Sequence, residues 1–523
     1  MITENFIGFE RSAQGENTYS AVNPVTQETL PGAFVAATME EVNLAVNKAH
    51  EAWKVYRNTS GAQKATFLRT IAEEIEGLGD TLVNRVMEES GLPEGRVKGE
   101  RGRTCNQLRM FADLVEEGSW VNAIIDTAQP DRQPIPKADI RNMLQAVGPV
   151  VVFTASNFPL AFSTAGGDTA SALASGCPVI VKAHESHPGT NGLIAEAILN
   201  AARKTKMPDG VFSSLNAIGY QVGTALVQHP QVKSVAFTGS YNGGMALHKL
   251  AADRTEPIPV FAEMGSVNPI FVLPGIIKTQ SEALANQIAG SVNLGAGQFC
   301  TNPGLVVIRQ DENTEAFMEN LGSAFEKLAV QNMLNQGIYQ NYERLKKESL
   351  QTAGVTTVAD QSNDGENWEA YPAVASASAA EFLMNPNMQQ EVFGPFSLVV
   401  QCEDEEHFYA VADHLHGQLT ASIMGTQEEL AGYADLFDTL QTKAGRVIFN
   451  GVPTGVEVCH AMQHGGPFPA STDGRFTSVG TGAIKRFARP VAFQDCPDAM
   501  LPAALQADNP MNILRLVDGN WVR

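Results

Sequence analysis

A chain of 523 residues exceeds what one small hydrophobic core can organise, so two or three lobes are expected. Its formal net charge of -21 repels phosphate backbones, so nucleic acid is not an expected partner; its six scattered cysteines, with no CxxC pair, predict neither a zinc site of that kind nor a disulfide framework. The start, Met1 to Glu10, lacks a basic region followed by an apolar run, and no stretch approaches the ~18 uninterrupted apolar residues of a membrane span, so a cytoplasmic protein with reduced thiols is expected.

Residues 39 to 120 read as helices, because Val42, Ala45, Val46, Ala49 and Trp53, and again Leu108, Phe111, Ala112 and Val115, recur at helical spacing. A polar, proline-containing connection follows over 126 to 137. From Val147 the texture changes to short apolar runs alternating with helical stretches. Pro149–Phe153, Pro178–Lys182, Val211–Leu215, Ser234–Phe237 and Pro259–Ala262 are five strand candidates. Pro159 and Pro188 are each read as opening a helix at a favoured first-turn position. This alternation predicts an α/β fold with a parallel sheet and right-handed crossovers.

A second alternating region carries strand candidates at Ile270–Leu273, Leu305–Ile308, Phe396–Val400, Leu419–Ile423 and Arg446–Phe449, and the Ala/Ser-rich run Val374–Ala380 is read as a loop. The lobes meet near Glu263 to Asn268, where a cleft would form.

Three segments carry chemistry. Cys300 ends a glycine-rich turn, Gly295-Ala296-Gly297-Gln298-Phe299-Cys300, between a helical pattern and a strand, where a thiol can meet a ligand. With Glu263 and Asn157 it supplies a nucleophile, a base and an oxyanion donor. Parallel strands bind ligands at their carboxyl ends, and here those ends carry Lys182 with Glu185, Gly219 with Gly223, and Gly239 with Ser240. The spacing Gly219 to Gly223 is not GxGxxG. Backbone N–H groups after Phe237-Thr238-Gly239-Ser240 can hold a pyrophosphate at a helix start.

Asn157-Phe158-Pro159, Val181-Lys182, Phe237-Thr238-Gly239-Ser240, Glu263-Met264-Gly265, Gly297-Gln298-Phe299-Cys300 and Glu391-Val392-Phe393-Gly394-Pro395 occur in that order. This succession resembles the aldehyde dehydrogenase superfamily over nearly the whole chain. Ser156 to Ser163, Ala165 to Ala170, Pro453 to His460 and the tail Asp495 to Arg523 are similar to the branch holding 2,5-dioxovalerate (α-ketoglutaric semialdehyde) and bacterial fatty aldehyde dehydrogenases.

The resemblance implies a Rossmann-type nucleotide-binding lobe (1–127 and 149–263), an α/β catalytic lobe (264–460), and an oligomerisation arm with the C-terminal tail (128–148 and 461–523), in a homodimer or homotetramer. It implies oxidation of an aldehyde to a carboxylic acid with NAD or NADP. Cys300 would attack the aldehyde, Asn157 and the Cys300 amide would hold the oxyanion, hydride would pass to the nicotinamide, and Glu263 would activate water against the thioester. A glutamate at 263 favours release of the free acid over transfer to coenzyme A. Glu391 would hold the nicotinamide ribose, with Phe393 near the ring. No metal is implied.

Several positions depart from the superfamily pattern. Glu185 repels a 2′-phosphate, and Tyr220 stands where close NADP-using relatives tend to have arginine, so NAD is expected. Gly166 replaces a common lysine. His464 replaces an aromatic tunnel residue, and either favours the Cys300 thiolate and shuttles a proton or simply fills the space. Phe158, Phe162 and Phe468 are candidate substrate walls. Arg101, Arg103 and Arg109 offer cations for a far carboxylate. The leading substrate is 2,5-dioxopentanoate, with a medium- or long-chain aliphatic aldehyde second; a cofactor-independent Cys/Glu thioester hydrolase and an inactive binding protein are the readings from other classes.

Overall fold

The computed structural model describes residues 3–362 and 367–523, so the first two residues of the N-terminal segment read above lie outside the described residues. Four helices open the chain: α1 (Met39–Tyr56), α2 (Gly61–Gly77), α3 (Gly79–Ser90) and α4 (Glu94–Glu117). Their starts follow local chemistry. The Thr38 hydroxyl accepts from the Glu41 amide and the Glu41 carboxylate accepts from the Thr38 amide, a reciprocal cap that satisfies two orphan donors of α1. Ser60 and Gln63 repeat the device on α2. Glycines in the left-handed conformation, Gly91 and Gly118, end α3 and α4.

The five strands expected in the first lobe form at Val150–Phe153, Val179–Lys182, Phe212–Leu215, Ser234–Thr238 and Val260–Glu263, all mutually parallel. Their spatial order places 150–153 at the centre, with 179–182 and 212–215 to one side and 234–238 and 260–263 to the other. Strand order therefore reverses between 150–153 and 234–238, which creates a crevice at their carboxyl ends. The antiparallel strands Asn5–Ile7 and Glu10–Ser12 extend the sheet, an addition that the start of the chain did not suggest. Both faces are covered. Phe67, Leu68, Ile71 and Ile75 of α2 and Leu108 and Phe111 of α4 pack on one face; Val42, Val46 and Ala49 of α1, with Leu226 and Leu247, pack on the other.

The second sheet contains all five strand candidates, at Ile270–Val272, Leu305–Arg309, Phe396–Cys402, Gln418–Met424 and Ala444–Phe449, plus Thr356–Asp360 and Ala373–Ser378. Two readings of the sequence are corrected here. The Ala/Ser-rich run is an interior strand, not a loop: Ala373, Ala375 and Ala377 fill one core while Val374 fills the other. Small side chains suit a strand packed on both faces, and they carry little propensity signal. Pro159 opens no helix. The Glu100 carboxylate accepts from the Leu160 and Ala161 amides, both at 2.9 Å, and residues 158–166 fold into turns; the helix begins at Gly167 and runs to Ser175.

A third sheet joins Ala488–Gln494, Ile140–Ala146, Ile124–Asp126, Arg515–Val517 and Asn520–Val522. It gathers the segment expected as an arm, but its first strand lies before residue 128, and residues 461–480 do not join it. They run instead into the junction of the two lobes, where Met264 donates to Ala470 at 2.8 Å and Glu263 bridges to Ser471. Among the described residues no helix is long and apolar enough to cross a membrane.

Candidate active site

Glu263 ends the outermost strand of the first sheet, and Cys300 leaves a turn of the second lobe. That turn is unusual: Gly295, Ala296 and Gly297 all have positive φ (58°, 56° and 66°). A side chain at 297 would place its Cβ 2.2 Å from the Gly394 carbonyl carbon, so glycine is required both for conformation and for space. Ala296 carries the strain of a left-handed non-glycine residue. Asn268, buried and also at positive φ, ties the turn down. Its amide donates to the carbonyls of Cys300 and Asn302, each at 2.9 Å, and of Ser266 at 3.1 Å.

Cys300, Glu263 and His464 converge. Cys300 Sγ lies 3.3 Å from His464 Nε2, which lies 2.9 Å from Glu263 Oε1. The Ser478 hydroxyl donates to Glu263 Oε2 and approaches the His464 carbonyl at 3.1 Å. The Thr477 hydroxyl accepts from the His464 amide at 2.8 Å, fixing the histidine backbone. The three ligand-type atoms lie within 4.8 Å of one another; Cys300 and His464 meet with hydrogen-bond geometry, while Glu263 Oε1 faces His464 Nε2 at ion-pair distance without a hydrogen-bond partner among the described residues.

Electrostatics follow from burial. Desolvation and the neighbouring Glu263 carboxylate push the Cys300 thiol well above its ordinary range. Desolvation acts to raise Glu263 too, but His464, Ser478 and Cys300 outweigh it and hold that carboxyl below the usual carboxylate range. The site at rest is thus a thiol beside a carboxylate.

The Asn157 side-chain amide donates to the Gln298 carbonyl at 3.1 Å, two residues before Cys300. An NH₂ group has two hydrogens, so one remains for an oxyanion. Phe158, Phe162 and Phe299 form an edge-to-face cluster, with 5.2 Å between the ring centres of Phe158 and Phe162 and of Phe158 and Phe299. Phe162 lies 6.1 Å from the His464 ring. Phe468 is not in this cluster. It is 57% exposed and packs edge-on against Tyr241, so the chain turns it away from the apolar wall expected of it.

The residues expected to meet a nucleotide collect at the carboxyl edge of the first sheet. Lys182 ends its strand largely buried, and burial lowers its ammonium despite Glu185, which stands exposed nearby. Gly219, at φ 65°, turns the chain into the helix Gln221–Gln228, with open space where a Cβ would point. Gly223 sits against Phe153. The Gly239 amide donates to the Glu263 carbonyl at 3.1 Å. The Ser240 hydroxyl caps the helix Tyr241–Ala252 by accepting from Gly243 at 3.2 Å. Glu391, from the second lobe, lies against Gly265 and among the described residues accepts one hydrogen bond, at 3.4 Å from the Ser266 amide; burial raises its carboxyl to about 7. A half-buried carboxyl with so little donor support suits sugar hydroxyls, and the crevice beside it suits a dinucleotide. Phe393 lies on the same loop, beside a small cavity lined by Ser266, Asn302 and Glu391.

Sequence reading missed Asn268, Ser478 and Phe299. Only Phe299 had a signal, as the residue preceding the cysteine. The other two act through folding geometry that no spacing reveals.

These features define a two-lobed α/β protein with a doubly wound nucleotide-type sheet and a thiol–imidazole–carboxylate centre between its lobes. The chain belongs to the aldehyde dehydrogenase family, whose model matches residues 9–489. It is 46% identical over 517 residues to alpha-ketoglutaric semialdehyde dehydrogenase 2 of Azospirillum brasilense, covering 99% of this chain and 98% of that one. It is 44% identical over 517 residues to alpha-ketoglutaric semialdehyde dehydrogenase of Acinetobacter baylyi, again with 99% and 98% covered. Among solved structures it superposes on a 1-pyrroline-5-carboxylate dehydrogenase with a TM-score of 0.79 at 19% identity, covering 94% of this chain and 92% of that one. An NAD-dependent aldehyde dehydrogenase from Sinorhizobium meliloti matches with a TM-score of 0.79 at 23% identity, covering 94% of each. At those identities the structural likeness is one of fold.

Proposed function

We propose that this protein oxidises 2,5-dioxopentanoate to 2-oxoglutarate, with NAD preferred over NADP. The reaction class is carried by the convergence of Cys300 with Glu263 and His464 at the lobe junction. The substrate is supported by the two semialdehyde dehydrogenases that match almost the full chain.

Cys300 forms the carbon–sulfur bond to the aldehyde carbon once its proton leaves; the adjacent Glu263 carboxylate can accept that proton, and the His464 Nε2–H, 3.3 Å from Sγ, can stabilise the thiolate. The oxyanion meets the free hydrogen of the Asn157 amide and the Cys300 backbone N–H. A nicotinamide dinucleotide, when bound, supplies the hydride acceptor. Lys182, the Gly239–Ser240 turn and Glu391 would hold it, and the exposed Glu185 disfavours a 2′-phosphate, while Tyr220, 90% exposed, offers no cation to balance one. Glu263, low enough to stay ionised at neutral pH, removes a proton from the water that cleaves the Cys300 thioester to the free acid.

The test is reduced-nicotinamide absorbance with 2,5-dioxopentanoate, succinate semialdehyde, hexanal and decanal, with both cofactors and with Cys300→Ala as control. The expected result is the highest kcat/KM with 2,5-dioxopentanoate and NAD, abolished in the control. Turnover of hexanal and decanal alone would move the substrate to aliphatic aldehydes, and a higher kcat/KM with NADP would reverse the cofactor preference.

A further inference from the structure

The aromatic cluster beside Cys300 holds a cation, Arg103, whose buried Nε and Nη2 have no hydrogen-bond partner among the described residues. Arg96, Glu100, Arg103 and Gln107 share one face of α4 at helical spacing. That face meets the aromatic rings. The guanidinium carbon of Arg96 lies 4.5 Å from the Phe158 ring centre and 4.8 Å from that of Phe299. That of Arg103 lies 5.3 Å from Phe162 and 5.9 Å from Phe158.

The four differ in how they are satisfied. Glu100 holds the 160–161 amides and pairs with Arg96 at 3.4 Å. Arg103 Nε and Nη2 are buried with no hydrogen-bond partner among the described residues, and the Gln107 amide nitrogen, one turn on, is in the same state. A guanidinium resting on an aromatic face keeps its in-plane N–H donors free, and Nε with Nη2 form the side edge that matches both oxygens of a carboxylate. Such donors are costly to bury unpaired, so the arrangement suits an anion that arrives with the ligand. Arg103 is also close to the chemistry: it rests on Phe162, Phe162 touches the His464 ring, and His464 touches Cys300. The carboxylate of a five-carbon semialdehyde lies roughly 5 Å from its aldehyde carbon when extended, as four bonds of ordinary length allow.

We propose that Arg103 is the specificity-determining residue of this site, pairing through Nε and Nη2 with the terminal carboxylate of a short ω-carboxylated aldehyde. This rests on the semialdehyde reading above and assigns its far-end recognition. Of the three arginines offered by the sequence, Arg101 donates to the Gly79 carbonyl and Arg109 pairs with Glu76, so both are engaged elsewhere.

The test compares wild type, Arg103→Met and Arg103→Lys on 2,5-dioxopentanoate, succinate semialdehyde and pentanal, with glutarate as an unreactive five-carbon dicarboxylate inhibitor. Loss of a two-pronged charged pair is expected to lower kcat/KM about 100-fold for the carboxylated aldehydes in Arg103→Met, mainly through KM. Pentanal turnover should change little, and inhibition by glutarate should disappear. Arg103→Lys, which keeps the charge without the fork, should show a smaller loss with the same selectivity, and it serves if the methionine variant does not fold. An equal fall with pentanal, or no fall with either class, overturns the proposal. So does a wild type that neither prefers a carboxylated aldehyde to pentanal nor binds glutarate. If wild type ignores 2,5-dioxopentanoate but prefers succinate semialdehyde and loses that preference in Arg103→Met, the substrate named above fails while the role of Arg103 stands.

Discussion

At the scale of single residues, the charge state of the site depends on His464. It shares one ring nitrogen between a thiol and a carboxylate, and a single N–H can serve only one of them at a time. Removing the ring leaves burial acting on Glu263 with less opposition, which shifts its carboxyl upward. A base with a raised pKa loses its ionised form at a higher pH, so the acid limb of the kcat/KM profile should move toward neutrality in His464→Phe; an unchanged profile would reduce His464 to a space-filling ring. Glu391 shows the opposite sign of linkage. Its carboxyl, raised to about 7, is held protonated in the folded chain relative to an ordinary glutamate, so folding stability falls as pH rises from the unfolded value through the folded one. The penalty is at most about 3 kcal/mol above that window. Glu391→Gln should therefore raise the melting temperature of the ligand-free protein at pH 8 and leave it nearly unchanged at pH 4.

At the scale of elements, the Cys300 turn and the Glu391 loop are fitted to one another through Gly297. An alanine there combines a left-handed φ with a 2.2 Å approach to the Gly394 carbonyl carbon, so one loop must retreat. Gly297→Ala should lose several kcal/mol of stability. It should also weaken nucleotide binding, read by isothermal titration, more than the position of residue 297, outside the first lobe, would suggest. The segment 461–480 shows the same dependence on neighbours. Its sequence next to the tail suggested an arm, but its residues His464 and Ser478 finish a site begun by strands more than a hundred residues earlier.

At the scale of the whole molecule, the third sheet ends in two open edges, Ala488–Gln494 and Asn520–Val522, and on the latter Trp521 is 62% exposed. Unprotected edges with exposed aromatic side chains are sites for pairing with another copy. We expect light scattering to give a dimer or tetramer of the 56.0 kDa chain, and truncation after residue 487 to give monomers. A full-length monomer at micromolar concentration would contradict this reading.

The ten strands first read from the sequence were legible because each is a short apolar run bounded by turn residues, a pattern that burial on both faces of a parallel sheet imposes. Cys300, Glu263 and Asn157 were legible because each stands in an ordered motif. The interior strand Ala373–Ser378 was not, since alanine and serine look alike in loops and in tightly packed strands. Nor was the turn after Pro159, where Glu100 of a distant helix captures amides that a helix start would have left free. The sequence alone determined which chemical groups the protein owns and the order in which its strands arise. Tertiary structure alone decided which of them meet: it laid Arg103, not Arg101 or Arg109, on the aromatic cluster, turned Phe468 outward, and set His464 between a thiol and a carboxylate. Contacts between residues far apart in the chain depend on the packing of whole elements, and no local pattern encodes them.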